Sequence, residues 1–232
     1  MVRHVRRVAI PGVLALLIAG CGGSTAATTP TPTAAPPKPP AVDVVKGALV
    51  VVTDLPGSTV GEAPTSGTIG ALVDDGLVPT PCIKATGITA TTRTVVGTDV
   101  SQPLKVGAKD VTEAVILEST PADTATDLGQ VTTSARACPG HDEDSTAQYS
   151  DQSVTTASLT LGSWTGTRTT ALDTFTSGVS TVASYVYLLG LDGGLMVVQL
   201  GVAFANVEPA AQYQQQADAI ATKLVQRLGA LS

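Results

Sequence analysis

Two long apolar runs rich in β-branched residues, 179–189 and 195–204, flank the dipeptide Asp192-Gly193. Asp-Gly is the favoured pair for a tight type I′ turn, so the spacing predicts an antiparallel hairpin. A chain that closes on such a hairpin must build a sheet and cover it. Further strand signals occur at 88–96, 111–118, 154–161 and 164–172, each rich in Val, Ile or Thr. Helical spacing appears three times. Val44, Val45, Ala48, Leu49 and Val52 precede a stop at Asp54-Leu55-Pro56-Gly57. Thr120-Pro121 then supplies a capping hydroxyl and a first-turn proline for a helix ending at Cys138-Pro139-Gly140. A last helix is expected over 209–228, with Tyr213, Ala217, Ile220, Ala221, Leu224 and Leu228 on one stripe. Residues 58–86 read as irregular. The order of elements predicts an α+β fold: an antiparallel sheet with helices packed on one face, in a single domain over 42–232.

The N-terminus calls for a different reading. Arg3, Arg6 and Arg7 precede an apolar stretch over 8–19 that Pro11 and Gly12 interrupt. A spanning helix needs about 20 apolar residues, so this run is too short to cross a bilayer. A basic start, a short apolar core and small residues at its end describe a secretory signal over 1–20. Ile18-Ala19-Gly20-Cys21 resembles the lipobox of bacterial lipoproteins, in which the cysteine thiol receives diacylglycerol and becomes the mature N-terminus. Residues 21–41 then form a disordered tether: Pro30, Pro32, Pro36, Pro37, Pro39 and Pro40 favour extended backbone and leave nothing to build a core. The expected location is the extracytoplasmic face of the cell membrane, held by covalent lipid on Cys21.

Loss of residues 1–20 removes three arginines and no acid, so ten of the thirteen Lys and Arg remain against 19 Asp and Glu, a formal charge of −9. Such a surface has no basic run to neutralise phosphates, which argues against a nucleic-acid partner. Beyond Cys21 stand two cysteines, Cys82 and Cys138. In an oxidising compartment an even pair is expected to form a disulfide, with two free thiols as the alternative. The mature chain holds one histidine, His141, within the polar run His141-Asp142-Glu143-Asp144, which disfavours a metal site. Gly162-Ser163-Trp164-Thr165-Gly166 has the outline of a nucleophile elbow but carries Trp at its centre, and Trp164 reads as a packing residue. No phosphate loop, dinucleotide fingerprint or metal-binding His pair occurs, so neither cofactor nor enzymatic activity is expected.

From Asp54 onward the order of features resembles the PknH-like extracellular sensor domain, a module of mycobacterial receptor kinases and actinobacterial lipoproteins. The Asp54-Leu55-Pro56 turn is similar to that family's opening, Leu159-Thr160-Leu161-Gly162 to the strand after its acidic loop, and 182–205 to its late hairpin. Cys82 paired with the helix-closing Cys138 matches one of its disulfides. The chain lacks the family's second disulfide between the late strands, and Ser134-Ala135-Arg136-Ala137 stands where a tryptophan often precedes the helix-end cysteine. The resemblance implies a non-enzymatic extracytoplasmic module that binds or senses a small-molecule, cell-envelope or protein ligand. The competing expectation is a carrier of apolar envelope lipids, built around an internal cavity. A shallow polar cleft favours the first and a large enclosed cavity the second.

Overall fold

The computed structural model describes residues 36–68, 93–103, 105–137, 149–175, 181–205 and 211–232. Cys21, Cys82, Cys138, His141, the signal segment and most of the tether lie outside the described residues. Pro36–Ser232 forms one compact unit. Its elements are α1 (Val42–Ala48), a short 3₁₀ turn (Val52–Asp54), β1 (Thr59–Thr68), β2 (Thr94–Ser101), β3 (Lys109–Leu117), α2 (Pro121–Ala137), β4 (Tyr149–Leu161), β5 (Trp164–Phe175), β6 (Thr181–Leu191), β7 (Met196–Ala205) and α3 (Ala211–Gly229). The seven strands form one antiparallel sheet in the order β1-β2-β3-β7-β6-β5-β4.

The predicted hairpin supplies the middle of that sheet. Strands β6 and β7 meet in register from Val182 opposite Ala205 to Gly190 opposite Val197. Their turn is closed by the Gly194 N–H donating to the Leu191 carbonyl at 3.0 Å, with Gly193 at φ 64°. β7 lies fourth of seven, between β3 and β6, and its first seven residues are all buried. A strand covered on both faces reads as a continuous apolar run, and that is why its sequence does not alternate. Close strand approach makes a second demand: a Cβ on Gly166 of β5 would stand 1.9 Å from the Leu188 carbonyl oxygen.

The α+β architecture is the expected one, but α2 corrects the expectation that the helices share a face. Helices α1 and α3 cover Tyr185, Tyr187, Leu189, Val198, Leu200 and Phe204. On α2, Val131 and Leu128 pack instead against Val186 and Leu188, which point the opposite way along β6. Both faces of β6 are apolar, so each binds a helix. On α3 the predicted stripe is buried at Tyr213, Ala217, Ala221, Leu224 and Leu228, with Ile220 partly covered.

A second correction concerns 58–86, read as irregular. Thr59–Thr68 is an edge strand, β1. Its Gly61, Pro64 and Gly67 break the alternation that marks a strand in sequence, and its pairing with β2 shifts register twice. Along the next segment, the strand expected at 88–96 is described from Thr94 and continues to Ser101. Ile88 lies outside the described residues.

Candidate functional site

Among the described residues, three clusters of oppositely charged side chains stand on this frame, and one of them opens on a cleft. Thr120 caps α2: its hydroxyl accepts from the Asp123 N–H at 3.1 Å, while the Asp123 carboxylate accepts from the Thr120 N–H at 3.1 Å and its hydroxyl at 3.0 Å. The Thr124 hydroxyl donates to the Gly194 carbonyl at 2.8 Å, tying this first turn to the β6–β7 hairpin. Asp123 and Asp127, one helical turn apart, therefore face the ends of β2 and β3.

Arg93 enters this corner from the start of β2. Its Nε lies 2.9 Å from Glu118 Oε2 and 3.4 Å from Asp127 Oδ2, and its Nη2 lies 3.1 Å from Asp123 Oδ1. Glu118 follows β3 directly, its N–H donates to the Leu195 carbonyl at 2.8 Å, and its side chain is wholly buried. Burial, reinforced by the neighbouring Asp127, pushes the Glu118 carboxyl up to about 8 against the opposing pull of Arg93. The Thr120 hydrogen bonds, helped by Arg93, hold the exposed Asp123 below its usual value. One guanidinium is thus gripped by the side chains of Glu118, Asp123 and Asp127. Among the described residues, these contacts run through Nε and Nη2.

Beside this cluster lies a cleft of about 600 Å³. Residues 38–42, where the proline-rich segment runs into α1, form one wall. Arg93, Thr94 and residues 117–119 form the other. Lys38 is exposed on the first wall, so the cleft has a basic side chain on each side. A smaller hollow of about 400 Å³ lies between the β4–β5 turn and the last turns of α3, lined only by uncharged residues.

The other two clusters hold elements together. Arg227 of α3 forks onto Asp54 at 2.6 and 2.7 Å and donates to the Leu49 carbonyl at 3.2 Å, and Lys223 completes the grip on Asp54. Arg227 holds the Asp54 carboxyl well below the usual range. Glu113 of β3 is fully buried beneath them and accepts the Val50 N–H at 2.5 Å, and burial pushes it up to about 8. Between α3 and the sheet, Asp218 accepts from Tyr187 at 2.7 Å and from Arg168 at 3.0 Å. Both clusters fasten α3 across the sheet.

None of the cysteines singled out in the sequence falls within the described residues, and neither does His141. Trp164 does, and it is buried against the core as a packing residue. Arg93, Glu118 and Asp127 escaped the sequence reading. A faint signal existed: Glu113 and Glu118 punctuate a run of β-branched residues on the period that faces the core or its end, where a carboxyl survives only with a partner. No protein-family model matches the chain, and no curated protein does. Among solved structures the chain is similar to the extracellular domain of PknH from Mycobacterium tuberculosis, a crystal structure, at 15% identity and a TM-score of 0.49. That likeness covers 83% of this chain and 98% of the other.

Proposed function

We propose that this chain is a lipid-anchored, non-enzymatic binding or sensor-like module of the extracytoplasmic face, and that it seats a small polar ligand in the cleft between residues 38–42 and Arg93. The observation that carries the reading is the Arg93 cluster at the cleft wall. Among the described residues, the ion pairs of that guanidinium run through Nε and Nη2, so it is already oriented at the cleft wall before anything binds. Glu118, Asp123 and Asp127 stand within ion-pair distance of that guanidinium and orient it, which suits recognition. Anchoring rests on the Ile18-Ala19-Gly20-Cys21 motif; two long acyl chains suffice for stable attachment. A lipid carrier would need a large enclosed cavity between sheet and helices; among the described residues, Tyr185, Tyr187, Leu200, Phe204 and Leu224 pack the space between the sheet and α3.

Native mass spectrometry of the membrane-extracted protein tests the reading. The expected result is a small polar adduct on the wild type that Arg93→Gln loses while its melting transition stays cooperative. An acyl-chain lipid retained by both proteins would replace this reading with the carrier. Cys21→Ser should move the protein out of the membrane fraction, and labelled palmitate on that variant would refute the anchor.

A further inference from the structure

The sheet has two outer edges, and their sequences treat exposure in opposite ways. At one end, β1 contains Gly61, Glu62, Pro64 and Gly67, and its pairing with β2 breaks register between Val60 and Glu62 and again between Glu62 and Thr65. Charge, proline and bulges are the usual means by which proteins stop an edge strand from recruiting another chain. At the other end, β4 has none of them over 152–161, which reads Gln-Ser-Val-Thr-Thr-Ala-Ser-Leu-Thr-Leu. It is the longest strand, 13 residues, and it pairs with β5 without a break from Asp151 to Leu161. Alternate residues of an edge strand turn their N–H and C=O outward, so β4 presents a long, regular ladder. Thr155 and Ala157 are exposed on one face of it, and Ser158 and Thr160 on the other. Among the described residues, no element covers β4 from the side.

We propose that the β4 edge is an interface between two copies of this chain, paired antiparallel about a two-fold axis so that the two sheets become one. Antiparallel self-pairing sets each strand against its own sequence, which is disfavoured where like charges come opposite each other. Residues 152–161 carry no charge, within a chain whose formal charge is −6. The same pairing through β1 would bring a second Glu62 to the seam and meet Pro64, which has no N–H to donate. Threonines and serines on both sides of the β4 seam suit cross-strand contact, since Thr–Thr and Thr–Ser pairs hydrogen-bond across neighbouring strands. A two-fold contact closes on itself and consumes the edge, so it ends at the dimer.

The test uses the full-length chain extracted in detergent, examined by native mass spectrometry over a dilution series and by hydrogen exchange of β4. A dimer is expected, with β4 amides slowing as concentration rises and β1 amides unchanged. Thr155→Lys and Thr160→Lys, both at exposed positions, should raise the dimer dissociation constant roughly tenfold or more while the melt stays cooperative. Ser66→Lys, exposed on β1, should leave it unchanged. A monomer at every concentration, a dimer indifferent to both β4 lysines, or a foreign polypeptide in place of the second copy would each overturn the proposal.

Discussion

At the scale of single residues, the buried acids set how stability depends on pH. Glu113 and Glu118 both have carboxyls raised to about 8 by burial, so the folded chain keeps protons that the unfolded chain gives up near 4.5. Where the native state binds more protons, stability falls as pH rises. Their contribution is complete below the unfolded value and is lost between about 4.5 and 8. Each pKa unit corresponds to about 1.4 kcal/mol, so denaturant midpoints should drop markedly between pH 5 and 8. Glu113→Gln keeps an oxygen for the Val50 N–H and removes the titration. It should be more stable than the wild type at pH 8, with a visibly flatter profile; equal profiles would show that Glu113 is not protonated in the fold. Asp54 acts in the opposite sense, because its lowered carboxyl loses its contribution only as pH falls below the usual carboxylate value. Gly166 makes a steric prediction. The 1.9 Å approach of its missing Cβ to the Leu188 carbonyl involves backbone on both sides and cannot be relieved by a rotamer change. Gly166→Ala should cost about 3 kcal/mol or more, at the severe end of overpacking, as measured by denaturant unfolding.

At the scale of elements, α3 decides whether the sheet has a core. Its stripe buries Ala217, Ala221, Leu224 and Leu228 completely, and Arg227, Lys223 and Asp218 pin it to the 3₁₀ turn and to β5 and β6. A buried Leu contributes about 1.5–3 kcal/mol, and a typical domain has only about 5–15 kcal/mol in total. A chain covering 41–232 should therefore melt cooperatively, whereas one ending at 206 should be unfolded or aggregated. A cooperative melt of the shorter chain at nearly the same temperature would make α3 an appendage. This helix was legible in sequence because its stripe repeats at 3.6 residues and ends at Gly229. The face that α2 covers was not legible. Its own polar sequence gives little direction, and the choice rests with Val186 and Leu188 on β6. β1 was also hidden, because the devices that blunt an exposed edge erase the strand pattern.

At the scale of the whole molecule, the remaining proposals concern export. Cys82 and Cys138 are proposed to be joined in the exported protein, closing a loop that chain-entropy reasoning values at about 4 kcal/mol. Counting free thiols in unfolded, unreduced protein should find none from this pair, and two accessible thiols would refute the bridge. What the sequence determined by itself is the set of local facts: the short apolar run near the N-terminus, the proline-rich stretch, the Asp192-Gly193 hairpin, the capped start of α2 and the stripe of α3. Each depends on neighbours within a few residues, through periodicity, turn conformation or capping. Only the tertiary structure decided the strand order that puts β7 at the centre, the splitting of helices between faces, and the meeting of Arg93 with Glu118, Asp123 and Asp127. Those residues come from the start of one strand, the end of another and the first turns of a helix. What joins them is the cost of burying a carboxyl without a partner, a constraint that acts through space and leaves no spacing along the chain.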